Sequence, residues 1–303
     1  MRLKKYIKNP YLLAPYLGSR GLLNWMKDET FLQLRYRAMM DRTPDLKNPR
    51  TYTEKIQWLK LHDRRPEYPP LADKSLVKEF VKNTIGEEYL IPTLAVWDKA
   101  EDIDFDILPD AFVLKCTHDS GGMLICRDKS RLDREQAIAR MDTLLRKSFF
   151  SINREWVYKN ITPRIIAEPY MEDSRTGELR DYKFFCFDGV PKLMFVASER
   201  QKPDTDTKFD FFDMDYNHLD LINGHPNAAV PPERPENFER MKILAANLSR
   251  NIPHVRVDFY EVDGKVYFGE LTFYHFSGSV PFQPESWDET IGSWLTLPPM
   301  YHG

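Results

Sequence analysis

A chain of 303 residues, 42% hydrophobic and 29% charged, has an ordinary soluble globular composition and enough length for two or three subdomains around a real core. Its formal net charge of −3 argues against a general nucleic-acid binder. The three cysteines, Cys116, Cys126 and Cys186, are too sparse and odd in number for a disulfide framework, which points to a reducing, cytoplasmic setting. No run approaches the about 18 apolar residues of a membrane span.

In chain order, residues 1–26 carry Arg2, Lys4, Lys5, Lys8 and Arg20 and no acid. The apolar piece at 11–17 is short and cut by Pro15, unlike a cleavable signal. Two readings stand equal: a basic segment resting on the anionic inner face of a membrane, and a helix docked on the body. A helix is expected over 31–40. Another begins at Thr51-Tyr52-Thr53-Glu54, a capping-box pattern, with Ile56, Trp58 and Leu59 following. The prolines of 64–70 mark a boundary.

From Asp73 the texture becomes mixed. Asp73 can cap a helix to about Ile85 with Leu76, Val77, Phe80 and Val81 inward. Strands at 112–116 and 123–126 flank a small loop, Thr117-His118-Asp119-Ser120-Gly121-Gly122. Cys116 and Cys126 beside His118 lack metal-site spacing and read as small buried groups. A helix over 133–147 turns Ile138, Met141, Leu144 and Leu145 inward. Strands at 164–171, 182–187 and 192–197 precede a helix at 236–250, a hairpin about Asp263-Gly264 and a last helix at 287–295.

The hairpin carries the chemistry. A three-residue loop, Val262-Asp263-Gly264, places Arg256 opposite Glu270 and Asp258 opposite Phe268. Arg256, Asp258, Glu270 and Thr272 then share one face, and Val255, Val257, Phe259, Tyr267 and Leu271 the other. Paired carboxylates suit Mg²⁺, which binds through one or two of them plus phosphates; a salt bridge with Arg256 explains the pattern equally well. Lys115 ends an apolar strand before the glycine loop, and Lys74 sits at a helix start; both suit phosphate, although the loop is no Walker sequence. The strand ending in Glu168-Pro169 is either a base-reading hinge or an edge strand closed by proline.

In this order the motifs resemble the ATP-grasp superfamily, and most closely its TupA-like branch, named for teichuronopeptide biosynthesis. The likeness is carried by Tyr52-Thr53-Glu54-Lys55-Ile56-Gln57-Trp58, Leu71-Ala72-Asp73-Lys74, Phe112-Val113-Leu114-Lys115-Cys116 with its glycine loop, Asp181-Tyr182-Lys183-Phe184 and Gly269-Glu270-Leu271-Thr272. It spans roughly residues 30–290. The resemblance implies an α+β ATP-grasp fold: a helical region at 1–70, a first lobe with the phosphate loop at 71–163, and a second lobe at 164–303, the lobes clasping ATP.

It also implies roles. Lys74, Lys115 and Lys183 would contact ATP phosphates, with His118, Ser120, Gly121 and Gly122 closing over them. Glu168 and the backbone to Met171 would read adenine, and Asp181 would sit near the ribose. Asp258, Glu270 and Thr272 would hold Mg²⁺, while Arg256 and Lys115 act on the reacting groups. The implied activity is an ADP-forming carboxylate–amine ligation through an acyl phosphate, in surface polysaccharide, capsule or peptidyl-polymer biosynthesis. The carboxylate would come from a uronic acid or glutamyl acceptor, and the amine from an amino acid or amino sugar. Thr272 replaces the usual asparagine of the superfamily, His275 replaces a frequent proline of the branch, and residues 1–70 lack a parallel-sheet domain. Two other readings remain. Asp213-Met214-Asp215 has the form of a glycosyltransferase metal motif, and a solvated turn explains it as well. A silent nucleotide-binding scaffold conflicts with Lys74, Lys115, Arg256, Asp258 and Glu270 all being in place.

Overall fold

The capping box read at Thr51 is present. The Thr51 hydroxyl accepts the Glu54 N–H, the Glu54 carboxylate reaches back to the Thr51 N–H, and a helix runs over Tyr52–His62. The computed structural model describes residues 9–119, 121–200 and 206–301. Three helices open it: α1 (Leu13–Gly18), α2 (Asp28–Met40) and α3 (Tyr52–His62). α2 starts earlier than the apolar pattern suggested, because Asp28 and Glu29 supply the acidic first turn that the helix dipole favours. Arg154 ties this segment to the body. Its guanidinium is fully buried, donates to the Leu23 carbonyl at 2.6 Å, stands 3.2 Å from Asp28 and lies over the Phe31 ring. The described part of the N-terminal segment is therefore docked; Arg2, Lys4, Lys5 and Lys8 lie outside the described residues. No helix among the described residues is long and apolar enough to cross a membrane.

After α4 (Tyr68–Ala72), the Asp73 carboxylate accepts the Ser75 and Leu76 N–H groups at 2.7 and 2.9 Å and starts the turn into α5 (Val77–Ile85). Val77 and Val81 are buried, but Leu76, expected inward, is 49% exposed. It falls in the capping turn, before the helical phase is set.

The first sheet takes β1 (Ala95–Trp97), β2 (Phe112–Cys116) and β3 (Met123–Cys126); α6 (Arg134–Leu145) and α7 (Phe149–Asn153) then precede its last strand, β4 (Ile165–Pro169). The order is β1-β4-β2-β3, antiparallel throughout. α6, capped by Asp133, lays Ala137, Met141 and Leu144 on Phe112, Leu114, Cys116, Leu124 and Cys126. The two cysteines are thus buried free thiols, as the spacing suggested. β4 corrects the boundary read at residue 164: Glu168, assigned to the second lobe, stands in the sheet of the first.

The second sheet runs β10-β9-β5-β6-β7, again antiparallel. In chain order this half holds β5 (Asp181–Phe187), β6 (Val190–Ser198), β7 (Lys208–Phe212), the short β8 (Ile222–Asn223), α8 (Phe238–Leu248), β9 (Val255–Val262), β10 (Lys265–Thr272), β11 (Phe282–Gln283) and α9 (Ser286–Trp294), with β8 and β11 paired as a separate two-stranded sheet. Alternation sorts β5 into two faces. Phe184 stacks on Phe238 of α8, whereas Phe185 meets Tyr52 of α3 and His275. Lys183 shares the Phe185 face. Each fully buried phenylalanine here contributes about 1.5–3 kcal/mol.

α3 joins this core rather than a separate 1–70 region. Lys55 donates to the carbonyls of Gly292 and Leu295 at 2.9 and 2.7 Å, and the Asp288 carboxylate accepts the Thr53 N–H at 2.8 Å. The helices approach so closely that a Cβ on Gly292 would lie 2.3 Å from the Arg50 carbonyl oxygen.

The β9–β10 turn corrects the expected register. It has two residues, not three: Asp263 and Gly264 take φ of +50° and +75°, and Val262 pairs with Lys265. Pairing stays in step to Phe268 opposite Phe259, a bulge falls at Gly269, and Glu270 then lies opposite Asp258 and Thr272 opposite Arg256. Phe268, not Tyr267, joins the core. The bulge delivers the polar face that the longer loop was expected to make.

Candidate active site

A cleft of about 580 Å³ runs between the two sheets. One end of it is lined by four lysines. Lys74 lies before α5, and Lys78 within it. Lys115 is on β2 and Lys183 on β5. Gly121 and Gly122 also line it; Ser120 lies outside the described residues. Lys74 is bound to the loop twice, by its N–H to the Thr117 carbonyl at 3.1 Å and by Nζ to the Asp119 carbonyl. Asp119 itself is buried beneath, and burial raises its carboxyl pKa to about 6 against the opposing pull of Lys74 and Lys147. His118 does not face the cleft. Its Nε2–H donates to the Lys147 carbonyl at 3.0 Å, so it anchors the loop from behind.

Glu168 is claimed by two lysines: Lys115 Nζ is 2.7 Å from Oε2 and Lys78 Nζ 2.6 Å from Oε1. Burial works to raise its pKa, but the two ammonium groups outweigh that and hold it below the usual range. Its carboxylate is therefore not free to read a base. Beside it opens an apolar slot of about 270 Å³ walled by Ile91, Val113, Ile125, Pro169, Met171 and Leu179. Lys78 escaped the sequence reading, although it lies one helical turn after Lys74.

The hairpin face lies opposite. Arg256 grips Asp258 in a fork, Nε to Oδ1 and Nη2 to Oδ2, both at 2.7 Å. Nη2 also reaches Thr272 Oγ1 at 3.0 Å and Glu270 Oε1 at 3.5 Å. Lys183, paired across the sheet with Asp258, adds a further bond to Asp258 Oδ2 and one to Asp181 at 3.1 Å. Arg200, a second residue missed in the sequence, pairs with Asp181. The paired carboxylates are thus not equivalent. Asp258 is 1% exposed on its side chain and lies behind the cleft wall, both oxygens taken by cations. Glu270 is 31% exposed and lines the cleft. Burial would raise its pKa, but Lys74, Lys183 and Arg256 hold it down at about 2.

Glu270 and Thr272 fit a Mg²⁺ ion that takes its other oxygens from phosphate and water: Glu270 is firmly ionised, and its Oε2 accepts no hydrogen bond among the described residues. Asp258 could join them only if Lys183 or Arg256 released it. The salt-bridge reading of the hairpin is thus realised at Asp258, and Glu270 is the carboxylate left open to the cleft. Behind Arg256, Nη1 meets His275 Nδ1 at 2.6 Å, and His275 Nε2 meets Asn223 Oδ1 at 2.9 Å. Asp213 takes no part in the cleft. It accepts the backbone N–H groups of Asp215 and Asn217 at 2.9 and 2.8 Å, which makes the Asp-x-Asp tripeptide a turn.

A profile of TupA-like ATP-grasp proteins matches residues 54–296, and the chain belongs to that family. No curated protein matches the chain. Among solved structures it is similar to D-alanine–D-alanine ligase from Bacillus anthracis complexed with ATP, with a TM-score of 0.39, 18% identity, and coverage of 67% of this chain and 54% of that one. It is also similar to D-cycloserine synthetase DcsG (TM-score 0.41, 18% identity, 69% and 64%) and to D-alanine–D-alanine ligase from Helicobacter pylori (0.42, 14%, 82% and 68%). The chain thus spans little more than half the length of the Bacillus ligase.

Proposed function

We propose that the cleft binds Mg·ATP and activates a carboxylate as an acyl phosphate, which an amine then converts to an amide with release of ADP and phosphate. The observation that carries this is one cleft lined by Lys74, Lys78, Lys115, Lys183 and Arg256, in which Lys74, Lys183 and Arg256 act on the open carboxylate of Glu270. The adenine lies in the slot at Met171, with Asp181 toward the ribose. The phosphates lie under Gly121, Gly122 and Lys74. A carboxylate oxygen of the acceptor attacks the γ-phosphorus and the bond to the β-phosphate oxygen breaks. The amine nitrogen then attacks the acyl carbon, the carbon–phosphate oxygen bond breaks, and the amine proton leaves with solvent or phosphate. Held by Glu270 and Thr272, Mg²⁺ would neutralise charge on the phosphates. Arg256 stabilises oxyanion charge at the acyl carbon, and the lysines orient the phosphates; no side-chain nucleophile is required.

The experiment is incubation with Mg·ATP, hydroxylamine and uronic-acid or glutamyl carboxylates. A hydroxamate with stoichiometric ADP is expected. AMP as product, or sugar transfer without ATP, refutes the reading. The setting in surface-polymer synthesis rests on the family name alone. Peripheral membrane contact of residues 1–26 is supported by exposed Leu22 and Trp25 beside Arg20. Absence of binding to anionic vesicles at low salt would remove it.

A further inference from the structure

The cleft does not end at the metal face. From Thr272 the chain continues as its wall through Tyr274, His275 and Ser277 to Ser279, where it meets Arg35 of α2. Arg35 precedes the family-matched region, so this end of the wall draws one cation from outside it. Its guanidinium donates to the Ser279 hydroxyl, its Nε is shut off from solvent without a partner, and no carboxylate lies within 4 Å of it among the described residues. Burial lowers its pKa to about 10, with Glu155 opposing, which leaves it charged near neutral pH.

Among the described residues the surroundings give Arg35 no bonded carboxylate, only the more distant Glu155. Ser279 passes its own hydrogen bond to the Ser277 carbonyl at 3.1 Å. Lys60, fully buried, points Nζ at the Ser277 carbonyl and hydroxyl at 2.7 and 2.6 Å and at Gln57 Oε1 at 3.1 Å. Burial, and to a smaller degree Arg35, push the Lys60 pKa well below its ordinary value, with Glu155 opposing, while the surrounding oxygens accept its N–H groups. The carboxylate of Glu155 acts on both Lys60 and Arg35. Arg35 is thus a donor-rich cation on a cleft wall, and the acid that acts on it is shared with Lys60. Leaving a buried charge without a bonded partner is costly, and an arriving anion relieves it.

We propose that Arg35, with Ser279, forms a carboxylate-binding subsite at the far end of the cleft, which holds a carboxylate-bearing substrate of the ligation. This deepens the proposed function and rests on it for the word substrate, but the subsite itself is a property of Arg35. A planar carboxylate matches the guanidinium fork, whereas a phosphate of ATP is already served by the lysines at the other end. The carboxylate is either the one activated or a second one carried by the amine.

The test uses the full chain and formate, the smallest carboxylate. The Arg35 Nε–H resonance, assigned by its loss in Arg35→Lys, should shift saturably with formate and not with formamide. No shift overturns the proposal, whether or not the enzyme binds ATP. In parallel, Arg35→Met should keep the wild-type stabilisation by Mg·ATP; losing it would place Arg35 in the phosphate site and overturn the carboxylate assignment. Hydroxylamine then separates the two sources. If Arg35 holds the activated carboxylate, Arg35→Met raises the KM for that substrate in hydroxamate formation about tenfold or more. If it holds the amine's carboxylate, hydroxamate formation is unchanged and only ligation of the carboxylate-bearing amine suffers. Arg35→Lys, which keeps the charge, controls for folding and should recover part of the loss.

Discussion

Nδ1 of His275 lies 2.6 Å from Nη1 of Arg256. Arginine only donates, so Nδ1 accepts and the ring proton sits on Nε2, which donates to Asn223 Oδ1. Asn223 is held in that orientation because its amide N–H groups donate to the carbonyls of Val280 and Pro281, both at 3.1 Å. Burial, then Arg256, His254 and Lys183, keep the His275 pKa well below its ordinary value. His275 is therefore a neutral positioning residue for Arg256. His275→Ala should lower turnover by about five- to a hundredfold, the equivalent of about 1–3 kcal/mol for an unsatisfied buried donor. The wild-type pH–rate profile should carry no His275 inflection near about 6.5, the ordinary histidine value. Full turnover in a folded His275→Ala protein would remove the role.

Asp258 and Glu270 should respond differently to loss of charge. Asp258→Asn leaves Arg256 and Lys183 buried with one carboxylate fewer, and should cost about 3–5 kcal/mol of stability. Glu270→Gln, on the open side, should cost much less stability and about a hundredfold or more in turnover. Chemical denaturation beside initial rates distinguishes them; equal stability losses would contradict the burial difference.

Asp119 gives a pH dependence. Its folded pKa, about 6, lies above the ordinary 3.8, so the folded protein binds this proton more tightly than the unfolded chain does. Its contribution to stability is then greatest below about pH 4 and falls as pH rises through 6. Asp119→Asn removes that fall. Melting curves should therefore show the variant gaining on wild type between acid and neutral pH. A gap independent of pH would show that Asp119 titrates normally.

Lys78 should matter to nucleotide binding. Lys78→Met deprives Glu168 of one of its two cations and should raise the KM for Mg·ATP about tenfold, or 1–2 kcal/mol, with little change in kcat. An unchanged KM would leave Lys78 a purely structural pair.

Much of this was legible in the sequence because alternation and capping are local. Thr51 with Glu54, the strand ending at Lys115 and the shared face of Arg256, Glu270 and Thr272 all followed from spacing. What was missed depends on distant contacts. The Gly269 bulge is invisible in an alternating pattern, since one extra residue and a longer turn sort the flanking side chains alike. His118 turned away because the Lys147 carbonyl, 29 residues on, was there to receive it. Asp258 proved inaccessible because Lys183 arrives from another strand. The strands β1, β7, β8 and β11 depend on pairing partners that short runs do not announce.

Arg154 has a consequence beyond its own bonds. It fastens the helices before residue 40 through the Leu23 carbonyl, Asp28 and Phe31, and so fixes where α2 presents Arg35. A chain trimmed to residues 54–296 would strand that arginine uncovered while keeping every lysine of the nucleotide end. Arg35 and the four lysines of the other end are thus carried on different stretches of chain. If Arg35 binds the substrate carboxylate as proposed, exchanging the leading stretch between relatives should change the preferred acid and leave the lysine end alone, provided the newcomer brings its own acceptors for Arg154.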